Sequence, residues 1–377
     1  MDFALSDDQE LLQRSARDFL NKECAPSFVR EVTRSDDGFA RGLHEKMAAM
    51  GWSGLIVPER FGGLDLSLLD LALLNEEMGR TVTPGPFFSS AVLATLTLLR
   101  SNAAALQKAW LPKLASGSAI GSLALLEESD RLDAIGVTLR CTKNRRGYRL
   151  NGTKMFVLDA HVADFMLVAG RCRAAAQDGI VLLLVPRDTP GIEIKPLLDI
   201  DQTRRPCEVA FRDVELPEAA LAAGEGRAWK VLSRVMDAAA IILAADSLGG
   251  AQKALEMSVE YSKVREQFGR PIGSFQAVKH ICAEMVSDIE PARSLVWYAA
   301  YAFDHEPRQA ARAASMAKAR LSDVYSRTTN RAVQIHGGIG FTWEHDMHLW
   351  FKRAKWNEVA FGDATHHRER LAQLSAF

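Results

Sequence analysis

The residues best able to move a proton near the C-terminus lie in WNEVAFGDATHHRERL, residues 356–371. Asp363 offers a carboxylate there, and His366 and His367 are side chains that can act as bases near neutral pH. Asp363 directly precedes ATHHRERL, which predicts a helix start, so its expected role is that of an N-cap. Neighbouring helical residues diverge by about 100°, so at most one histidine can point inward, and we expect a surface pair.

The length and charge of the chain limit the number of domains and the classes of binding partner. A chain of 377 residues favours two or three packed units, and a hydrophobic fraction of 48% is ample for a buried core. Lys and Arg number 46 and Asp and Glu number 47, so a net charge of -1 leaves no broad electrostatic footprint for nucleic acid or an anionic membrane. The basic cluster KNRRGYR, residues 143–149, is predicted to be a solvated hairpin tip.

The cysteines and the N-terminus indicate the compartment. The five cysteines are scattered and none forms a C-x-x-C pair, which argues against zinc ligation and against a disulfide framework. The N-terminal MDFALSDDQE is acidic and lacks the apolar segment of a signal peptide. No apolar run reaches the roughly 20 residues that span a bilayer. These features predict a soluble protein of a reducing compartment, with a cytoplasmic location.

Helical periodicity dominates the first part of the chain, residues 1–117. Ser6 with Gln9 has the form of a capping box before the first helix. Ser67 can cap a later helix after a loop rich in glycine.

Short apolar runs bounded by turn signals follow in residues 118–224. They predict a middle antiparallel β-barrel or sandwich domain. Asn151 and Gly152 form a type I′ hairpin signal within this region.

A helical period returns in residues 225–377, and its first long segment, residues 228–267, is interrupted only by the glycine pair 249–250. Long helical segments are predicted at 274–304 and 307–335. The second of these ends at HGGIG, where Gly337 can take the left-handed C-cap conformation. The order of helices, strands and helices predicts an α+β multidomain fold.

That order, with YSKVREQFGRPIGSFQAVKH (261–280) and AVQIHGGIGF (332–341), resembles the acyl-CoA dehydrogenase family, in the form of a divergent bacterial member. PERFGG, LNGTKMFV and FRDVELP belong to the same pattern, so the resemblance covers essentially the whole chain. It implies an N-terminal helical domain, a middle β domain and a C-terminal four-helix bundle, over residues 1–117, 118–224 and 225–377.

The resemblance also implies an activity. Members of the family use FAD to dehydrogenate an acyl-CoA thioester: a carboxylate removes the α-proton while the β-hydride passes to the flavin. Electrons then leave through an electron-transfer flavoprotein. The expected cofactor is therefore FAD, and the expected partners are an acyl-CoA, an electron-transfer flavoprotein and further subunits of a homo- or hetero-oligomer, most often a tetramer in this family.

Six residues match positions that hold the cofactor in the family. Arg265 corresponds to the arginine that meets the FAD pyrophosphate, where a guanidinium can place two charge-assisted hydrogen bonds. The alternatives are a helix-end arginine that compensates the helix dipole and, for the glycines, a plain C-cap. The other matches are Phe268 and Gln276 at the adenosine end and, from a neighbouring subunit, Gln334, Gly337 and Gly338.

The proton-abstracting carboxylate is absent from both places that the family pattern predicts. The commonest pattern places a glutamate where this chain has Phe361, and a second group of relatives places it near Ala239. The backbone N–H of Phe361 could still hold the thioester oxygen. The remaining candidate bases are Asp363 and Asp246. Asp246 lies on nearly the same helix face as Ala239 but about 10 Å along the axis, so its alternative role is a buried anchor paired with an arginine, and Asp237 points to the opposite side.

The flavin-facing positions also depart from the family pattern. The family has a glycine-rich loop over the cofactor, where this chain has LLEESDRLDA and retains only Glu127. Phe156 keeps the aromatic wall beside the isoalloxazine, whereas Leu158 loses a hydroxyl. Glu127 and Phe156 are therefore the expected cofactor contacts on this side.

Two functions agree with these residues. The first is an acyl-CoA dehydrogenase with a displaced or missing base, acting on a bulky or branched acyl-CoA, because FGDATHHRERLA resembles bacterial members that act on branched, cyclic or sterol side-chain thioesters. The alternative is a non-catalytic subunit that completes the FAD site of a heterotetrameric acyl-CoA dehydrogenase. A flavin oxidase or hydroxylase of the same fold is a third possibility.

Overall fold

The computed structural model describes residues 4–175 and 177–375. The chain packs as two compact units, each built from segments that are distant in sequence. One unit combines the chain up to residue 31 with residues 67–83 and the chain from residue 237 onward, and the other combines residues 32–66 with 84–236. The order of helices, strands and helices confirms the predicted α+β class, whereas the predicted domain boundaries stay a prediction.

Side-chain caps explain where the first helices begin. The hydroxyl of Ser6 accepts a hydrogen bond from the backbone N–H of Gln9, and the Gln9 side chain accepts one from the N–H of Ser6. The predicted capping box is therefore confirmed. Ser67 caps a later helix in the same way, with Asp70 as the reciprocal residue. The helices before the sheet are α1 (Asp7–Glu23), α2 (Pro26–Arg34), α3 (Arg41–Ala49), α4 (Leu68–Arg80), α5 (Thr95–Arg100), which follows the π-helical Phe88–Ala94, and α6 (Ala104–Ala115).

The second unit contains the sheet. Its strands are β1 (Gly121–Ala124), β2 (Arg140–Asn144), β3 (Gly147–Leu158), β4 (Phe165–Arg171), β5 (Ile180–Pro186), β6 (Ile192–Pro196), β7 (Pro206–Pro217) and β8 (Leu221–Ala223). Their order is β6-β7-β3-β2-β4-β5-β8, with β1 beside β4. Neighbours are antiparallel except where β4 meets β1 and β2. Leu150, Val209 and Phe211 contribute to the buried core of this unit.

The β2–β3 hairpin differs from the prediction in one place. The turn lies at residues 145–146, so the expected solvated tip at KNRRGYR is confirmed. The hairpin turn predicted at Asn151-Gly152 is wrong, because both residues lie inside β3 at a register shift opposite β7. The Asn151 side chain bonds there to the backbone N–H of Asp213 at 2.9 Å, and Gly152 has φ +136°. The two residues therefore form a bulge, which glycine accommodates as readily as a turn.

Long helices form the C-terminal bundle. They are α7 (Ala228–Val264), α8 (Gln276–His305), α9 (Ala310–His336), α10 (Met347–Val359) and α11 (Ala364–Leu374), and a short hairpin of β9 (Glu266–Gln267) and β10 (Arg270–Pro271) joins the first two. The predicted helical segments at 274–304 and 307–335 are confirmed by α8 and α9. No helix in the described part of the chain is both long and apolar enough to cross a membrane.

The glycine pair in α7 does not interrupt the helix. At Gly249, an added Cβ would lie 1.7 Å from the backbone oxygen of Glu76 in α4. At Gly79 in α4, an added Cβ would lie 1.9 Å from the backbone oxygen of Asp246. These glycines therefore allow α4 and α7 to touch backbone to backbone within the first unit.

Candidate active site

The loop that follows α10 carries Phe361 at the position where the family resemblance expects a base. Phe361 is half-buried and has φ +57°, and Gly362 follows with φ +97°. Both residues are in the left-handed region, which a side chain other than glycine adopts only at some cost. The sharp turn ends α10 and sets up α11. A phenyl ring at its tip cannot accept a proton.

A buried lysine holds this loop. The Lys318 ammonium donates to the carbonyl oxygens of Asn357 and Gly362, both at 2.8 Å, and it is 1% exposed. Burial lowers the pKa of Lys318 to about 7, against the opposing effect of Asp363 and Glu358. Sequence patterns did not single out Lys318. The available signal was a lysine in phase with the buried small and apolar side chains of α9.

The two histidines of α11 point in different directions. His366 is exposed, whereas His367 is buried and its Nε2 lies 3.0 Å from the carbonyl oxygen of Phe361. Because that oxygen can only accept, Nε2 carries the hydrogen. Burial, followed by the charge of Lys318, lowers the pKa of His367 to about 3. The expected surface pair is therefore wrong for His367, which is a neutral donor to the loop.

Asp363 has the capping role that its sequence position predicts. Its carboxylate accepts a hydrogen bond from the backbone N–H of His366 at 2.7 Å, and it is the N-cap of α11. The residue is exposed. The N-cap interpretation is confirmed, and a role for Asp363 as a base stays a prediction.

Asp246 is a buried member of an ion pair. One carboxylate oxygen lies 2.9 Å from the Arg353 guanidinium, and the other accepts from the Asn357 side chain at 2.7 Å. Asp246 is 1% exposed and Arg353 is 0% exposed. Asp246 therefore has the alternative role that the sequence offered, a buried anchor paired with an arginine. Ala239 is fully buried in α7, and Asp237 pairs with Arg370 at 2.6 Å.

The hairpin after α7 presents the predicted pyrophosphate and adenosine contacts. Arg265 is exposed, and within residues 4–175 and 177–375 no carboxylate forms an ion pair with it. Phe268 has φ +56° and is 91% exposed, and Gln276 is exposed at the start of α8. The ring of Phe268 meets Phe275 edge-on at 6.1 Å between centroids. A charged donor and an aromatic ring thus both face out of the chain.

A second exposed corner follows α9. Gln334, Gly337 and Gly338 are all exposed, and a Cβ added at either glycine would meet nothing within 4 Å. Gly337 has φ +66° and ψ -145°, so the predicted positive φ is confirmed but the left-handed helical conformation is wrong. The rings of Tyr261 and His336 stack at 4.6 Å, which places the ends of α7 and α9 side by side.

These exposed segments have the chemistry that the pyrophosphate and adenosine end of FAD would need. The Arg265 guanidinium, which has no carboxylate partner among the described residues, would supply charge. The exposed ring of Phe268 would supply stacking area, and the open glycine backbone would permit close approach. The contacts of these residues with FAD stay a prediction. In the part of the chain that the structure describes, no three histidine, cysteine or acidic side chains are grouped as a metal site.

In the sheet unit, Phe156 and Glu127 have different environments. Phe156 is 45% exposed with φ +55°, at a register shift between β3 and β7, so the strand turns this ring outward. Leu158 is buried. The prediction of Phe156 as a flavin contact stays a prediction.

The carboxylate of Glu127 is already bonded within the sheet unit. It accepts from the Lys154 ammonium at 2.7 Å and from the backbone N–H groups of Thr138 and Leu139 at 2.8 and 2.9 Å. Burial raises the pKa of Glu127, but Lys154 and these hydrogen bonds outweigh it and hold the pKa below its usual value. Its observed role is to fasten the loop before β2, and a cofactor contact by Glu127 stays a prediction. The partner Lys154, fully buried, was missed by the sequence patterns.

Comparisons with known proteins identify the family of the chain as a whole. The family models for the acyl-CoA dehydrogenase N-terminal, middle and C-terminal domains match residues 6–118, 122–214 and 226–375. Probable acyl-CoA dehydrogenase YngJ of Bacillus subtilis is 33% identical over 378 residues, which cover 98% of each protein. The structure of butyryl-CoA dehydrogenase from Megasphaera elsdenii is 30% identical with a TM-score of 0.93, covering 100% of both chains. A variant of the Tcur3481-Tcur3483 steroid ACAD is 30% identical with a TM-score of 0.87, covering 98% of both chains.

The matches extend over nearly the whole chain and include a relative at 33% identity. The outward-facing arginine, phenylalanine and glycine corner is consistent with a flavin dinucleotide. The chain therefore belongs to the acyl-CoA dehydrogenase family, whose members are FAD-dependent oxidoreductases that act on CH–CH groups.

Proposed function

We propose that this chain dehydrogenates a bulky or branched acyl-CoA between its α and β carbons with FAD, and that its proton acceptor is displaced from the usual positions or missing. The observation that carries the proposal is the outward-facing set of Arg265, Phe268 and Gly337-Gly338. Arg265 and Phe268 are exposed, and a Cβ added at either glycine would meet nothing within 4 Å, so a dinucleotide could approach all of them.

The residues that would hold the cofactor have separate tasks. Arg265 would bind the pyrophosphate through its guanidinium, and Phe268 and Gln276 would meet the adenosine end. Gln334 and the glycines after it would serve the cofactor of a neighbouring subunit in a homo- or hetero-oligomer. When bound, FAD would supply the acceptor for the hydride that leaves the β-carbon.

The proton acceptor is the unusual feature of the proposal. Phe361 and Ala239 cannot accept a proton. Asp246 is neutralised by Arg353 in a buried ion pair, and Asp363 uses its carboxylate as an N-cap. The well-held turn at Phe361, fastened through its own carbonyl and that of Gly362, would instead position the thioester.

The substrate class rests on two similarities. The ending FGDATHHRERLA resembles bacterial relatives that act on branched, cyclic or sterol side-chain thioesters. The steroid ACAD among the similar structures supports the same class. An electron-transfer flavoprotein is the proposed acceptor, and a cytoplasmic location follows from the proposed role.

Flavin content and bleaching test the proposal. The chain is expressed alone, its FAD is quantified, and anaerobic bleaching is followed with butyryl-CoA as the matched control and with branched, cyclic and steroid side-chain thioesters. We expect about one flavin per chain and bleaching by the bulky thioesters only. Asp363→Asn and Asp246→Asn then test the displaced base, and unchanged rates per flavin in both variants would remove both candidates.

The alternative is a non-catalytic subunit that completes a heterotetrameric FAD site. This alternative would explain why Asp246 and Asp363 have structural roles that leave neither carboxylate as an obvious base. Protein that is colourless alone but gains FAD with a second homologous chain would support this alternative. Phe361→Glu, with Phe361→Gln as the control, would then test whether the chain still binds substrate beside flavin: only the glutamate is expected to start bleaching.

A further inference from the structure

We propose that Cys141 and Cys172 form a reversible disulfide. Their sulfur atoms lie 3.0 Å apart, so a small movement of the side chains brings them to bonding distance. Both are free thiols. The proposal concerns the sheet unit alone and does not rest on the proposed function.

The sheet places these cysteines side by side although they are far apart in the sequence. Cys141 is in β2 and Cys172 directly follows β4, and Arg140 pairs with Arg171 in parallel register one residue earlier. Successive residues on neighbouring parallel strands keep this pairing, so the two cysteines face the same side. Gly170 leaves space beside them, because an added Cβ there would lie 3.1 Å from the Cβ of Cys141.

The two thiols differ in access to reagents. Cys141 is 2% exposed, whereas Cys172 is half-buried and lies at the edge of the core. The hydrogen bond with Cys141 lowers the pKa of the Cys172 thiol, and the same bond followed by burial raises the pKa of the Cys141 thiol. A small disulfide would therefore react first with Cys172, since the thiolate is the nucleophile.

The exchange balances with oxidised glutathione as the oxidant. The Cys172 thiolate attacks one sulfur of glutathione disulfide, a mixed disulfide forms, and one glutathione thiolate leaves. Cys141 then loses its proton and attacks the sulfur of Cys172, which releases the second glutathione. Two protein thiols are oxidised to one disulfide, glutathione disulfide is reduced to two thiols, and the two protons pass to them.

Peptide mass mapping of the full chain tests the proposal. Reduced protein is incubated with oxidised glutathione, its free thiols are alkylated, and it is cleaved before aspartates. Asp159 and Asp164 lie between the two cysteines, so each cysteine is on its own peptide. We expect the two peptides to appear as one linked species lighter than their sum by two hydrogen atoms, and to separate again when glutathione is added back.

Three serine variants make the outcome decisive. Cys141→Ser is expected to leave a persistent glutathione adduct on Cys172, while Cys282→Ser, which removes a half-buried thiol outside the sheet unit, is expected to leave the linked species unchanged. In Cys172→Ser, the native protein is expected to leave Cys141 unreacted because it is buried. A persistent glutathione adduct on Cys172 in the unsubstituted chain, or no linked species, would overturn the proposal.

Discussion

Replacing Asp246 by asparagine tests whether this residue is a structural anchor or a catalytic base. The change removes the negative charge beside Arg353, which is 0% exposed, and leaves that arginine buried without its counter-charge. It also replaces the oxygen that accepts from the Asn357 side chain at 2.7 Å, so the Asn357 amide must rotate to accept from the new NH2 group. Removing one partner of a buried ion pair costs about 3–5 kcal/mol of unfolding free energy.

A more exposed ion pair in the same unit provides the matched control. Asp237 pairs with Arg370, whose side chain is 28% exposed. Asp237 is itself 4% exposed, but solvent reaches the guanidinium that Asp237→Asn leaves behind, so this change is expected to cost about 1 kcal/mol. A double variant, Asp246→Leu with Arg353→Met, should recover part of the loss, because a buried ion pair replaced by apolar side chains is often nearly neutral.

Urea unfolding and flavin bleaching are the two measurements for this prediction. We expect Asp246→Asn to lower the unfolding midpoint by far more than Asp237→Asn, and to leave the bleaching rate per bound flavin unchanged. If Asp246→Asn leaves unfolding unaltered but abolishes bleaching, then Asp246 takes the proton and its ion pair with Arg353 does not stabilise the fold.

The remaining predictions concern four other positions. Burial lowers the pKa of Lys318 in the folded chain to about 7, so the unfolded chain holds more protons between about pH 7 and about pH 9. The unfolding free energy of the unsubstituted protein should therefore rise by about 2 kcal/mol across this window. Lys318→Met should remove this rise when urea unfolding is measured at both ends of the window. Gly249→Ala should prevent close packing against α4 and lower Tm. At Gly338 an added Cβ would meet nothing within 4 Å, so Gly338→Ala should leave Tm of the flavin-free chain unchanged and reduce FAD content. Arg265→Gln should weaken FAD binding about 10-fold or more by fluorescence titration, without a change in Tm of the flavin-free chain; equal FAD affinity would contradict its assigned role.

Local chemistry made the helix starts predictable. The capping bonds of Ser6 and Ser67 reach only three residues along the chain, so nearby sequence contains both partners. The hairpin at Asn151-Gly152 was not predictable in this way. A type I′ turn and a bulge both favour this dipeptide, and the choice was made by Asp213 on β7, 62 residues away.

The candidate site shows the same division between near and distant partners. The N-cap role of Asp363 was predicted because its partner, the N–H of His366, is three residues away. The inward orientation of His367 was not, because it depends on the turn at Phe361 folding back over α11. Lys318 donates to carbonyl oxygens of a segment about 40 residues later, and no local sequence pattern predicts this contact.

The order of residues by itself determined the family and the loss of a carboxylate at both usual positions, because a phenyl or methyl group cannot take a proton in any fold. It also determined which segments are helical and which form strands. Only the tertiary structure decided what the remaining acids do. The role of Asp246 depends on the arginine that packing brings to 2.9 Å across 107 residues of sequence, because only the folded chain brings the two side chains together.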